Sequence, residues 1–374
     1  MTSFLRRSLP ATFLRGGTSK GIFLSRDDLP SNRTDWPAIF LGIMGSPDAQ
    51  YGRQLNGMGG GISSLSKICI VSPATPTQKK EGIDVEYTFV QVGIRDTSID
   101  YSGNCGNLSS MIGVFARDEG MCAPPAAGAT KMTVRAWNSN TSKVIETTFP
   151  VEEGVAVLDR PEIEIAGVPG KASRIVMDFV NPGGARTGKL LPSGNAVDVL
   201  EFRVPGRGET QRIRASLVDA TNPTVLVPIS ELRELLGPSL DAYTGGTASA
   251  GEIAEVSEML EAIRQQGAVK MGLDPTAQAQ PKIAIVSLED GRIGVFALSM
   301  GVLHRALPMT VGLCIGVAAN IRETVAWSGG GGDVQIQHPG GIVDVGAEFS
   351  SDGSVKSASV LRTGRRLMKG VVYW

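Results

Sequence analysis

YSGNCGNLSSMIGVFARDEG, residues 101–120, is a small-residue loop running into a helix. Ser102-Gly103-Asn104 delivers Cys105 to the helix start. Leu108, Met111, Ile112 and Phe115 then recur at helical spacing, and Gly120 stands where a helix-ending glycine belongs. Cys105, Gly106 and Asn107 thereby occupy the first turn, whose backbone N–H groups lack intrahelical partners. Such a turn favours an anion, through its free N–H groups and positive dipole end. It also favours thiolate over thiol, so that the cysteine can exchange a proton near neutral pH. The competing reading is a buried cysteine packed as a small apolar residue.

Upstream of this helix, VEYTFVQVGI (85–94) and SIDYS (98–102) alternate as strands do. Residues 56–71, NGMGGGISSLSKICIV, place four glycines and three serines before Lys67 and an apolar strand. The order is not that of a P-loop, whose lysine opens a helix. A lysine between small residues and a buried strand is partly desolvated, which favours the neutral amine able to accept a proton; a strand-end lysine snorkelling to water is the alternative. Residues 9–25 form strand, turn, strand, with Arg15, Thr18, Ser19 and Lys20 on the glycine turn GGTSKG. Basic and hydroxyl groups there suit a carboxylate or phosphate; a hairpin turn with solvated charge is the alternative.

The second half repeats the plan: strands at 211–229, helices at 230–236 and 252–271, and strands at 282–288 and 294–300. Then PMTVGLCIGVAANI (308–321), apolar on every face, forms a buried central helix. Gly- and Pro-rich NPGGARTGKLLPSGN (181–195) marks the boundary between the halves. The expected fold is α+β: an N-terminal lobe over 1–184 and a C-terminal lobe over 185–374, each a mixed, mostly antiparallel sheet curled around one helix. The helix starts face one cleft, and the last strand is free to return to the first lobe.

Composition narrows the function. The 374 residues carry 36 basic and 37 acidic side chains, so no global charge invites nucleic acid or a membrane surface. Aromatic content is 5%, too little for base-stacking platforms. Cys69, Cys105, Cys122 and Cys314 form no CxxC pair, and there are two histidines, His304 and His338. Neither a zinc cluster nor a disulfide framework is expected, and a reduced, cytoplasmic protein is. No apolar run reaches membrane-spanning length.

RGGTSKG (15–21), NGMGGGISSLSK (56–67), SGNCGN (102–107), LPSGN (191–195), NPT (222–224), MG (271–272), ALSMGVLHRA (297–306) and HPGG (338–341) together resemble the PrpF family. That family contains 2-methylaconitate cis–trans isomerase; 4-oxalomesaconate tautomerase, 3-methylitaconate isomerase and aconitate isomerases are similar to it. The resemblance runs from about residue 9 to 372, in order. It implies a diaminopimelate-epimerase-like fold. In that superfamily each lobe offers a cysteine to the substrate. Cys105 matches the first, whereas Ser299-Met300-Gly301 stands where the second would be. The resemblance further implies that Lys67 and Cys105 form the acid–base pair.

The substrate implied is a small unsaturated di- or tricarboxylate, with a place in propionate catabolism. Moving its C=C bond requires a proton removed beside a carboxylate and one returned at the same or an allylic carbon. The dienolate between needs no metal or cofactor if N–H groups and cations hold its charge. Arg15, Ser19, Lys20, Ser64 and Lys270 are the carboxylate-holding candidates, with Arg305 a weaker one. Met58, Gly59, Gly106, Asn107, Met300 and His304 are the other expected substrate contacts. A homodimer is compatible with this reading. The rivals are a cysteine hydrolase using Cys105 and His304, and a carboxylate-binding protein without catalysis.

Overall fold

The computed structural model describes residues 8–101, 103–204, 208–277, 280–289, 291–299, 301–303 and 307–374. The elements that position the site are, in chain order, β1 (Ser8–Gly16), β2 (Ser19–Ser25), α1 (Trp36–Met44), β3 (Lys67–Pro73), β4 (Val85–Val92), α2 (Gly106–Ser109), α3 (Ile112–Asp118), β5 (Lys131–Asn138), β6 (Lys143–Glu152) and β7 (Ile175–Val180). There follow β8 (Asp198–Phe202), β9 (Gln211–Ala220), β10 (Asn222–Pro228), α4 (Ala250–Lys270), β11 (Lys282–Glu289), β12 (Arg292–Ser299), α5 (Met309–Ala318), β13 (Val334–His338), β14 (Gly341–Phe349), β15 (Val355–Arg362) and β16 (Gly364–Tyr373). They divide into two compact units. The first comprises the described residues up to Val180 together with Leu361–Trp374; the second is Asn181–Val360.

In the first unit the strand order is β16-β1-β2-β3-β4-β5-β6-β7. β2 and β3 are parallel, as are β4 and β5; the other neighbours are antiparallel. The second unit runs β8-β9-β10-β11-β12-β13-β14-β15, with β10–β11 and β12–β13 parallel and the rest antiparallel. The succession of parallel and antiparallel neighbours is therefore identical. So is the placing of helices: α1 and α4 bridge the first parallel pair of each sheet, and α2–α3 and α5 bridge the second. Each long crossover is what a parallel pair demands. This is the α+β architecture expected, two sheets each built around a helix.

One face of the first sheet is closed by α1, where Ile39, Phe40, Ile43 and Met44 pack on Ile22, Leu24, Ile68, Ile70, Val90 and Val92. Pro37 in the first turn and Gly45 in the left-handed region bound that helix. The other face curls round α2–α3. Phe23 meets Phe115 with ring centroids 5.6 Å apart. Gly113 lies against Val134, Thr147 and Phe149, and Met111 is reached by Gly364 of β16 and close to Ile175 of β7, the two edges of the sheet. In the second unit α4 covers the equivalent outer face through Val256, Met259, Leu260 and Ile263. There α5 is buried from Val311 to Ala318, as its apolar sequence requires.

Two local readings change. The hairpin between β1 and β2 turns on Gly17-Thr18 alone, because Gly17 adopts φ +50°, so Ser19 and Lys20 are strand residues and not turn residues. The helix expected over 105–119 is broken. Ser109 Oγ donates to the Cys105 carbonyl at 3.1 Å, and Ser110 Oγ donates to the Asn107 carbonyl at 2.7 Å. These side chains compete for the carbonyls that would continue the helix. The Met111 N–H consequently bonds Leu108 O, a tightened turn between α2 and α3. A four-residue α2 has only a small dipole, so the electrostatic case for an anion at Cys105 must come from side chains.

Candidate active site

Side chains alternate across a sheet, and the phase of β2, β3 and β4 decides which reach α2–α3. Ser19, Gly21 and Phe23 of β2, Lys67 and Cys69 of β3, and Tyr87, Phe89 and Gln91 of β4 share that face. Two glycines let α2 lie directly on it. A Cβ on Gly16 would overlap the Asn107 carbonyl oxygen, and one on Gly21 would fall 2.6 Å from Leu108 Cδ1.

Lys67 opens β3 and is 8% exposed. It pairs in register with Gln91, and its Nζ donates to Gln91 Oε1 at 2.7 Å. The Gln91 amide is itself oriented, its Nε2 donating to Ser66 O at 2.9 Å and to Ser63 O at 3.2 Å. The amine also lies 5.0 Å from the centroid of the Phe89 ring. Among the described residues no carboxylate stands within ion-pair distance of Lys67. A lysine held by a neutral amide and an aromatic face is fixed in place without being locked as the cation of an ion pair.

Cys105 caps α2 and is half-buried, its Sγ 3.7 Å from Ser19 Oγ. The loop that presents it is tied down from below. Tyr87 Oη and Ser109 Oγ share a hydrogen bond of 2.8 Å, and both lie within hydrogen-bonding distance of Asn104 Oδ1, at 3.3 and 3.2 Å. Burial holds the Tyr87 phenol far above its ordinary range, so it serves as a neutral tether. Cys69, two residues along β3 from Lys67 and on the same face, is buried. Burial raises its thiol well above the usual value; the Cys105 charge raises it further, and the Lys67 charge opposes both. The face thus carries an amine and a half-buried thiol, with a buried cysteine within electrostatic reach of both.

The other expected contacts divide. Ser19, Gly106 and Asn107 stand with Cys105. Ser64 is half-buried in the short turn Ser63–Leu65 that leads to Lys67. Met58 packs against the α1 side of the sheet, its N–H on Ile43 O, and the Gly59 N–H bonds Met44 O. The glycine run is braced by Gln54, fully buried, whose Oε1 accepts from the Gly61 N–H and Ser66 Oγ. Arg15 and Lys20 pair in register and share the α1-side phase of Phe13, with Lys20 Nζ 5.7 Å from that ring. The Arg15 guanidinium is engaged by the carbonyls of Gly17 and Thr363 and by Thr363 Oγ1. Lys270, in the second unit, forms an ion pair of 3.0 Å with the buried Asp198. Met300, His304 and Arg305 lie outside the described residues.

Arg362 was not among the expected contacts, yet it reaches this face. Its Nε donates to Asn107 Oδ1 at 3.0 Å, and Asn107 Nδ2 donates to Thr18 Oγ1 at 3.0 Å. Gln91 and Tyr87 were also missed, although both follow from the phase of Phe89 once Lys67 is placed. No such signal marks Arg362, one arginine of three in RTGRR. Among the described residues no group of three His, Cys, Asp or Glu side chains is arranged to hold a metal.

The family model described as PrpF protein matches residues 6–374. The 2-methyl-aconitate isomerase of Shewanella oneidensis is 37% identical, over 97% of this chain and 96% of that protein. The 3-methylitaconate isomerase of Eubacterium barkeri is 34% identical, over 98% of this chain and 97% of that protein. The crystal structure of a methylitaconate-delta-isomerase superposes with a TM-score of 0.83 at 34% identity, covering 98% of this chain and 96% of that one.

Proposed function

Because the chain belongs to the PrpF family, and is a PrpF-type isomerase, we propose that it isomerises a small unsaturated di- or tricarboxylate, 2-methylaconitate before others, with Lys67 and Cys105 as the acid–base pair. The observation that carries this reading is the shared face: a lysine amine with no acidic partner among the described residues, held by Gln91, and a half-buried thiol at the start of α2.

The chemistry is a proton relay. One of the pair takes a proton from the carbon beside the C=C bond, and the electron pair spreads into a dienolate over the neighbouring carboxylate. The former double bond is then free to rotate, or the pair relocates. A proton returns to the same carbon for cis–trans isomerisation, or to the allylic carbon for transposition of the double bond. No electrons leave or enter. General acid–base groups held at hydrogen-bonding distance contribute about 10²–10⁴-fold to such a step. Gln91 holds the amine and the Tyr87–Ser109–Asn104 tether holds the thiol, so both arrive preorganised.

The test is incubation of the protein with 2-methylaconitate, aconitate, 4-oxalomesaconate and 3-methylitaconate in deuterated water, following the alkene and allylic signals by proton NMR. The expected result is isomerisation with solvent deuterium incorporated, fastest for 2-methylaconitate. A place in propionate catabolism stands or falls with that preference. Unchanged spectra for all four acids would overturn the assignment.

A further inference from the structure

Arg362 is 9% exposed, and the described hydrogen bonds of its guanidinium run to two neutral oxygens: Asn107 Oδ1, from Nε at 3.0 Å, and its neighbour's carbonyl, Leu361 O, from Nη1 at 2.7 Å. Among the described residues no carboxylate lies within ion-pair distance of it. Its neighbour in the RTGRR run shows the contrast, since Arg366 takes Asp118 in a two-pronged ion pair at 2.6 and 2.7 Å. Cys105 stands near enough that a thiolate there would favour the Arg362 cation.

A buried guanidinium is costly unless an anion completes it. Burial pushes Arg362 down to about 10, and at neutral pH it is still a cation. Hydrophobic or neutral replacements at such a position normally cost nothing or stabilise, so a lone buried arginine calls for a use. The fork of N–H donors matches the two oxygens of a carboxylate. The sequence assigned that task to Arg15 and Lys20, but the two-residue turn and strand alternation place both on the opposite face. The broken helix removes the other expected source of positive potential.

We infer that Arg362 is the side chain that receives a substrate carboxylate beside Cys105, with Asn107 holding the guanidinium in position. The inference rests on the carboxylate substrate proposed above and names the cation that holds it. A cation there neutralises charge as the dienolate forms next to the group that exchanges the proton.

The experiment uses tricarballylate, a saturated tricarboxylate with no double bond to move, as the probe. Its affinity is measured by calorimetry and by the rise it causes in melting temperature, for wild type, Arg362→Gln and Arg362→Lys. Loss of a charge-assisted pair predicts roughly a 10- to 100-fold weaker affinity for Arg362→Gln. Arg362→Lys, which keeps the charge and loses the fork, is expected in between and provides the measurement if the glutamine variant does not fold. Without ligand, Arg362→Gln should melt no lower than wild type, because an unpaired buried charge has been removed. A purely structural arginine gives the reverse: a lower melting temperature and an unchanged affinity. Unchanged affinity in a folded variant, or no binding of tricarballylate to wild type at millimolar concentration, overturns the inference. Arginine-dependent binding without turnover of any of the four acids would count against the reaction alone. Turnover with arginine-independent binding would count against this inference alone.

Discussion

Lys67→Met removes the amine that the proposed reaction requires and keeps the length of the stem. The structural cost is the 2.7 Å bond to Gln91, about 1.5–3 kcal/mol for a charged donor, and the contact with the Phe89 ring at 5.0 Å, about 0.5–2 kcal/mol. Against these stand the relief of desolvating a buried ammonium, several kcal/mol, and a sulfur–aromatic contact of about 0.3–1.5 kcal/mol. The opposing effects nearly cancel, so the variant is expected to melt within a few degrees of wild type. Catalysis has no such compensation. Loss of one general acid–base group predicts a fall of about 10²–10⁴-fold in kcat, or roughly 3–5 kcal/mol of barrier. The assay is the rate of deuterium incorporation from solvent into the acid that wild type turns over, read by proton NMR, with tricarballylate affinity measured in parallel. The expected result is exchange reduced by about 100-fold or more, with tricarballylate affinity largely kept. A folded Lys67→Met protein that exchanges deuterium within about tenfold of wild type would refute the reasoning, because another base would then be at work.

Cys105→Ser should lose turnover by about 10² or more with little change in melting, since the described polar contact of the thiol is the long 3.7 Å approach to Ser19; turnover near the wild-type rate would remove Cys105 from the mechanism. Gly16→Ala drives a methyl into the Asn107 carbonyl and should cost about 1–3 kcal/mol while displacing Cys105, seen as a lower melting temperature and a reduced kcat together; a variant that melts as wild type does would mean that α2 can shift freely. Lys270→Met leaves the buried Asp198 without its cation and should destabilise by about 1–3 kcal/mol, discounted because the lysine is partly exposed. Burial works against the Asp198 carboxylate, but hydrogen bonds from Ser193, Asn195 and Lys270 hold it below its ordinary value. A depressed carboxylate contributes stability that is present above its unfolded value, about 3.9, and is lost as pH falls through the folded one. The gap between wild type and Lys270→Met should therefore be full at neutral pH and close in acid; a pH-independent gap would contradict the pairing.

Local rules reached a long way into this chain. The apolar spacing after Cys105, the alternation of VEYTFVQV and the apolar run 308–321 each identify an element from side-chain periodicity, because a helix or strand half-buried in a core must present one face to it. The PrpF motifs implied the pairing of Lys67 with Cys105, which no periodicity supplies. Strand alternation separates Ser19 from Lys20 once the turn is confined to Gly17-Thr18. Other features were settled only by tertiary structure. Whether Ser109 and Ser110 continue a helix or bond back to its carbonyls depends on what the sheet leaves free around them. Whether Lys270 meets a ligand or Asp198 depends on β8, some 70 residues away in the chain. Arg362 sits 255 residues from Asn107 in sequence, and its neighbours Arg365 and Arg366 have the same composition and different surroundings. A charge's role is set by the dielectric and the partners around it, and those exist only once distant segments have packed together.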